Sequence, residues 1–191
     1  MPDSSLLLTL IGPSASGKST LARALADQGL ATLVPTWTTR PPRPDEEGDT
    51  AEHRFVSEEV FDQLSAQQAF LVEGSHPGLP YRYGLPQLED VRGISMVILR
   101  ASHVALLASA TGQVPVAYQV CAPAHSVAAR LAQRGTGEAE RRLRLGAYHA
   151  ERVAGTRISR RTFVNDGPMT TLVAAVSRAL TIDFECGGTD V

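Results

Sequence analysis

The sequence predicts an α/β fold in which a mainly parallel β-sheet carries helices on its faces. Two observations predict it. Apolar runs of strand length alternate along the chain with segments of helical period, the pattern of successive βα units. The first such run ends directly in a glycine-rich loop that opens a helix, so strand, loop and helix follow in order. In sheets of this kind ligands bind beyond the carboxyl ends of the strands, and Gly12 to Thr20 falls at such an end.

Leu6 to Ile11 is apolar throughout, as a strand buried on both faces must be, and a helical pattern runs from Lys18 to about Asp27. Ala31 to Trp37 reads as a second strand. Thr38 to Thr50 is rich in Arg, Pro and acidic residues without periodicity, hence a loop. Ser57 is a suitable N-cap for a helix to about Gln67, with Glu58 and Glu59 in its first turn, where the positive helix end favours acids. Phe70 to Glu73 is a short strand, and His76 to Pro86 is a turn-rich stretch that lines a surface or cleft. Ser95 to Leu99 and Val114 to Val120 are strand-length apolar runs, trailed by helical patterns near Ser102 to Ala110 and Ala124 to Arg134. An Arg-rich helix from about Glu138 to Val153, a strand at Thr162 to Val164 and a helix from about Met169 to Leu180 close the pattern, with no repeat or interdomain linker.

With 191 residues, 43% of them hydrophobic, the chain can bury one sizeable core but not two large domains. A single domain over 1–183 and a short tail at 184–191 are expected. A formal net charge of -2 gives no broad basic field for polymeric nucleic acid or an anionic membrane, so neither is expected as a partner. The run Leu6 to Ile11 is too short for a signal-peptide core or a membrane span, and a cytoplasmic location is expected. Cys121 and Cys186 have no metal-ligand spacing and read as reduced thiols, Cys121 buried; His103, His125 and His149 likewise lack such spacing. Trp37 and Tyr118 sit in apolar strand contexts and read as core. Nothing in the sequence specifies an oligomeric state.

Gly12-Pro13-Ser14-Ala15-Ser16-Gly17-Lys18-Ser19-Thr20 matches GxxxxGK[ST] completely. The glycines let successive backbone N–H groups turn inward as an anion nest, and the following helix presents its positive end to the same phosphates. The bland alternative, a chance glycine turn before a helix, is opposed by the correct flanking elements. Lys18 is the only lysine in the chain, and every other cationic side chain is arginine. A compact ammonium on a flexible stem was thus used in one place, where β- and γ-phosphate oxygens must be contacted together. The fold class is therefore a P-loop NTPase, its ligand ATP, with the Ser19 hydroxyl placed to ligate Mg²⁺. Arg100 follows the strand Ser95 to Leu99 where an acid of the Walker-B type would stand, which leaves Mg²⁺ to Ser19, phosphate oxygens and water.

Beyond the loop, several residues in order resemble the guanylate kinases and their relatives. They are Thr38-Thr39-Arg40-Pro41-Pro42-Arg43-Pro44 with its acidic continuation, Phe55-Val56-Ser57, Tyr83-Gly84, Arg130-Leu131 with Arg134-Gly135-Thr136, and Val164-Asn165-Asp166. The resemblance implies a nucleoside monophosphate kinase-like arrangement, with an acceptor-binding segment at about 36–86 and a lid at about 134–144. Arg40 and Arg43 would clamp the acceptor's phosphate, with Thr36 and Tyr83 as hydrogen-bonding neighbours; two guanidinium forks suit a dianion that must stay fixed while its oxygen attacks. A solvated, proline-stiffened loop is the alternative reading of that segment. Arg130 and Arg134, with Arg144 or Arg142 as a third, would close over the transferred phosphoryl group and stabilise its spreading charge; the alternative is a helix face of Arg/Glu pairs such as Glu138 with Arg142. Asn165 would lie near the donor adenine or cap the last helix.

Guanylate kinases read guanine with a Glu and an Asp. The nearest Glu here is Glu73, displaced by about one residue, a slip that changes the face of a strand, and Arg100 stands near the missing Asp. His53 occupies the position of a phosphate-binding Tyr. The run Glu52-His53 with Val56-Ser57, together with His76, Gly78, Leu79 and Asn165-Asp166-Gly167, is similar to a sister branch, the ribosyl bisphosphate kinases of phosphonate metabolism, whose acceptor has no base. The leading expectation is transfer of the γ-phosphoryl group of ATP to a small phosphorylated acceptor, a nucleoside monophosphate and GMP first. The alternatives are a ribose 1,5-bisphosphate phosphokinase and a non-catalytic guanylate-kinase-like binding module.

Overall fold

The computed structural model describes residues 5–43, 46, 50–76, 78–89 and 93–186. Parts of the loop expected over Thr38 to Thr50, Pro77 of the turn-rich stretch, and 187–191 of the expected tail lie outside the described residues.

Five strands form the parallel sheet: β1 (Ser5–Ile11), β2 (Thr32–Leu33), β7 (Gly93–Ile98), β8 (Val116–Cys121) and β9 (Arg161–Val164), in the order β2-β7-β1-β8-β9. β1 is central and pairs Leu6 with Ile94 on one side and Leu10 with Tyr118 on the other. Its alternation explains its uniform apolarity. Leu8 and Leu10 pack among α1 (Lys18–Asp27) and α6 (Met169–Cys186), while Leu7 faces a second cluster with Val97, Val72, Leu85 and Leu107. Each such fully buried leucine contributes about 1.5–3 kcal/mol.

A second sheet was not foreseen in the sequence. It is four-stranded, β4-β3-β6-β5, built from β3 (Thr36–Thr38), β4 (His53–Phe55), β5 (Phe70–Ser75) and β6 (Arg82–Pro86). β3 and β4 run parallel, whereas β6 is antiparallel to both β3 and β5. Two expectations are corrected by it. The single strand expected over Ala31 to Trp37 is two strands in two sheets. Pro35 lies at the break, where it removes the N–H that a continuous ladder would need. The stretch His76 to Pro86 is turn-rich only in its first half, because Arg82–Pro86 pairs on both sides despite Gly84 and Pro86.

The helices follow the sequence more closely. α2 (Glu58–Ala66) is capped by the Ser57 hydroxyl, which accepts from the Val60 N–H at 3.3 Å. A short 3-10 turn, Ala101–His103, precedes α3 (Val104–Thr111), and α4 (Ala124–Gln133) lies against α5 (Glu138–Ile158). α5 outruns its expected end at Val153 and runs through Gly155, where the Gln119 amide packs so close that a Cβ would meet it; α6 likewise continues to Cys186 past Leu180. Tyr118 and Cys121 are buried as expected, Cys121 as a free thiol, whereas Trp37 is only half-buried. No helix among the described residues is long and apolar enough to cross a membrane.

One buried polar cluster ties α6 to the sheet. The Asp183 carboxylate accepts from the Tyr118 hydroxyl at 2.5 Å and from Arg161 at 2.6 and 2.9 Å, and Arg160 lies 3.0 Å away. These donors, Arg161 foremost, hold its pKa down at about 2. Replacing Asp183 by Ala leaves a buried hydroxyl and two cations unpaired, so Asp183→Ala is expected to lower stability by about 2–3 kcal/mol in urea unfolding. Because the folded pKa lies below the unfolded one, the wild-type contribution is present above pH 4 and fades as pH falls toward 2; the variant's stability should change less over that interval.

Candidate active site

At the carboxyl end of β1 the chain must turn sharply to start α1. Gly12 and Gly17 have φ of 126° and 103°, and a Cβ on either would be driven into the Val120 carbonyl or the Asn165 amide. Glycine is required there by conformation and by space alike. The loop is braced from outside. Asn165 Nδ2 donates to the Ser16 carbonyl at 2.8 Å, Arg130 Nη1 reaches the Ala15 and Ser16 carbonyls at 3.3 and 3.4 Å, and Arg144 Nη1 donates to Ser14 Oγ at 2.7 Å. Lys18 folds back over the loop, its Nζ donating to the Gly12 and Pro13 carbonyls at 2.8 and 2.7 Å. The Ser16 hydroxyl is buried without a hydrogen bond. An unused donor inside a nest of N–H groups fits a phosphate oxygen.

From this loop a cavity of about 180 Å³ extends between the parallel sheet, the second sheet and α5. Gly12, Ser14, Lys18 and Arg144 line its donor end; Thr36, Arg43, His53 and Tyr83 line one wall, and His76, Arg100, His103 and Glu151 the other. Most residues expected to act on the acceptor are therefore gathered in one cleft. Arg40 stands behind it, 4% exposed, stacked 5.2 Å from the Phe55 ring centroid and joined to Glu46 by a two-pronged contact of 2.8 and 3.0 Å. Glu46 also accepts from the Arg43 guanidinium at 3.1 Å and the Arg43 backbone N–H at 2.8 Å. Burial opposes its ionisation, yet the hydrogen bonds from Arg40 and Arg43 hold its pKa at about 2.

The field in the cleft is strongly cationic. Burial, with Arg40 next in weight, depresses Arg43 below its ordinary value, and Glu46 offsets part of it. Burial and Arg40 also push His53 down to about 4, so its imidazole is neutral near pH 7 and shares a 3.0 Å hydrogen bond between Nδ1 and Thr36 Oγ1.

Three expectations resolve differently. Glu73 alternates with the cavity-lining Val72 and Gly74 and so faces away, exposed, where it accepts from Ser65 Oγ at 2.7 Å and lies 3.8 Å from Arg82. The strand register that threatened a face change indeed turns it outward. Of the two candidates for a third cation, Arg144 is in the cleft and 8% exposed, whereas Arg142 is exposed and paired with Glu138. Arg134 is half-buried at the end of α4, close enough to Lys18 and Arg43 to act on both electrostatically. Asn165 braces the loop and also lines a separate cavity of about 240 Å³ between β9 and α6. Among the described residues no three His, Cys, Asp or Glu group as a metal site.

Two lining residues escaped sequence reasoning. His103 has no metal-ligand spacing in the sequence and reaches the cleft because the 3-10 turn after β7 places it there. Glu151 carries no local motif; only its position seven residues after Arg144, two turns along one helix face, relates it to the site.

A glycine nest at the end of β1, a buried lysine and a cationic cleft beyond it define a P-loop phosphotransferase. The guanylate kinase family profile matches residues 4–153. A guanylate kinase from Caulobacter vibrioides is 33% identical over 160 residues, 83% of this chain and 71% of its own length. A bifunctional ribose 1,5-bisphosphokinase-thymidine phosphorylase from Azorhizobium caulinodans is 34% identical over 72% of this chain, a match that spans 20% of that longer protein. Among solved structures, the guanylate kinase from Anaplasma phagocytophilum superimposes with a TM-score of 0.72 at 19% identity, covering 95% of this chain and 87% of that one. The chain belongs to the guanylate kinase family, and is an ATP-dependent kinase.

Lys18 allows a direct test of the donor end. Burial lowers its pKa to about 8, partly offset by Glu151. The ammonium form is the one that attracts phosphate, so ATP binding should weaken as pH rises through 8. The dissociation constant for ATP is expected to increase about tenfold from pH 7 to pH 9 by calorimetric titration; a flat profile would mean that Lys18 keeps its charge through that range, and an unchanged dissociation constant in Lys18→Ala at pH 7 would remove it from donor binding.

Proposed function

We propose that the chain transfers the γ-phosphoryl group of ATP to the phosphate of a small acceptor, with GMP as the first candidate. The observation that carries the reading is that one cleft joins the Lys18 loop to the guanidinium of Arg43 and the wall of Thr36, His53 and Tyr83. An acceptor phosphate bound there would lie in front of the donor's γ-phosphate. Family membership and the relatives named guanylate kinase point to GMP.

In this reading Gly12, Pro13, Ser14, Ala15, Ser16, Gly17, Lys18, Ser19 and Thr20 hold the triphosphate, and the cavity beside Asn165 receives the adenine end. Ser19 supplies a hydroxyl to Mg²⁺, with phosphate oxygens and water completing its shell; the metal neutralises phosphate charge. Arg43, with Arg40 behind it, positions the acceptor, while Thr36, neutral His53 and Tyr83 supply hydrogen bonds. Lys18, Arg130, Arg134 and Arg144 stabilise charge that spreads over the transferred group. No general base is required, because the attacking oxygen belongs to an ionised phosphate. The acceptor segment, about 36–86, and the lid, about 134–144, then act as parts of one kinase domain over 1–183, working on small molecules in the cytoplasm.

A second reading has its own observation. Neither carboxylate expected to read guanine is at the acceptor end, since Glu73 faces outward and Arg100 stands beyond β7. An acceptor without a base, ribose 1,5-bisphosphate, would not need them. Steady-state assays of ATP consumption with GMP, dGMP, AMP, UMP and ribose 1,5-bisphosphate separate the two: turnover with the bisphosphate and not with GMP would replace the leading reading, and turnover with none would leave a binding module. Glu73→Gln is expected to leave the KM of the active acceptor unchanged. Arg144→Lys keeps the charge but loses the fork, and should lower kcat by about 100-fold with both KM values nearly unchanged.

A further inference from the structure

We infer that Glu151 is an acceptor-recognition residue, its carboxylate accepting hydrogen bonds from hydroxyl or ring N–H groups of the acceptor, with Arg100 as its positioning residue. The inference rests on the kinase reading above and extends it.

A carboxylate in the wall of a cleft that receives phosphates is repelled by its own ligands, so its presence requires donors to offset that repulsion. Glu151 is the only acidic residue among the described residues that line the cavity. Its side chain is 14% exposed, and its Oε1 lies 3.3 Å from Arg100 Nη2 and 3.7 Å from His76 Nε2. Both are ion-pair separations rather than short hydrogen bonds, and both fall on Oε1. No described residue donates a close hydrogen bond to the carboxylate, so its oxygens keep lone pairs to accept from a ligand.

Arg100 cannot swing freely, because its Nη1 donates to the Ser75 carbonyl at 3.1 Å. It fixes the carboxylate at the wall where the second sheet meets the 3-10 turn. Among the described residues, two other acids near the cleft are committed elsewhere: Glu73 faces away and Glu46 fills the forks of Arg40 and Arg43. A donor-bearing acceptor, whether through sugar hydroxyls or a base, thus meets one carboxylate among the described residues of the cavity lining, and that carboxylate comes from a helix rather than from β5 or β7. The same helix face sends Arg144 to Ser14 of the phosphate loop. Acceptor seated on Glu151 would consequently fix the position from which Arg144 reaches the donor.

The test compares wild type, Glu151→Gln, Glu151→Ala, Arg100→Ala and Arg100→Lys in steady-state assays with GMP and with ribose 1,5-bisphosphate. For whichever acceptor the wild type uses, in assays at about pH 6.5, where Lys18 stays charged without the help of Glu151, Glu151→Gln is expected to raise acceptor KM about tenfold and Glu151→Ala further, with the KM for ATP within about twofold. Arg100→Ala should raise acceptor KM less, add nothing when combined with Glu151→Ala, and be partly rescued by Arg100→Lys. Unchanged acceptor KM in both Glu151 variants overturns the inference while the kinase reading stands. Parallel loss of ATP and acceptor binding in the near-isosteric Gln variant marks a structural residue and overturns it too. A wild type inactive with both acceptors removes the kinase reading itself, and the inference with it.

Discussion

Crowding cations of like sign around one cleft is the constraint on which the rest of this structure depends. Lys18, Arg43 and Arg144 line one cleft, with Arg40 and Arg134 near enough to lower the pKa of Lys18 or Arg43. Carboxylates spaced around the cluster hold it together: Glu46 between Arg40 and Arg43, Glu140 against Arg144 at 2.7 Å, and Glu151 against Arg100. Each sits behind or beside a guanidinium rather than at the centre, so the cations keep their orientation and the middle of the cleft keeps its positive potential.

That arrangement is possible because two rigid sheets and one long helix converge. The parallel sheet delivers the glycine loop, the mixed sheet delivers the acceptor wall, and α5 crosses from one to the other. A packed floor supports the crossing. Ala15, Ala122, Val127 and Leu131 form a buried cluster under the loop and α4, joined by Leu145 and Tyr148 from α5, and the Tyr148 hydroxyl donates to the Ala122 carbonyl at 2.8 Å. Further along α5 the buried amide of Gln119 donates to the Arg152 carbonyl at 2.6 Å and accepts from Thr156 and Thr162. Polar and apolar contacts alternate along the helix, so its rotation, and with it the aim of Arg144 and Glu151, is determined over its whole length.

What the sequence disclosed divides along physical lines. The parallel sheet was legible because Leu6 to Ile11 and its partners are long, apolar and bounded by glycine, and α1 because loop and helix form one motif. The mixed sheet was not: β3 and β4 are three residues each, and β6 contains Gly84 and Pro86, so none carries enough periodicity to stand apart from loop. Thr36, Arg43, His53 and Tyr83, grouped by the family motif, nonetheless line one cavity, since a motif records neighbours that periodicity cannot. Glu73 failed where that motif was out of register, and a one-residue displacement on β5 was sufficient to turn it outward. Glu151 and His103 depend on how α5 and the turn after β7 meet across the cleft, which is information of tertiary structure alone.

The solitary lysine has a chemical consequence. At mildly alkaline pH a large fraction of Lys18 is the free amine, held against the loop carbonyls, and the sequence contains no other ε-amine to compete for an acylating reagent. Lysine chemistry on this protein, whether a reactive ester in the test tube or enzymatic acylation, is thereby addressed to one atom. Modification there removes the only lysine charge of the phosphate loop, and a bound triphosphate would shield it, so labelling of Lys18, resolved from that of the α-amine by peptide mapping, would follow the occupancy of the loop.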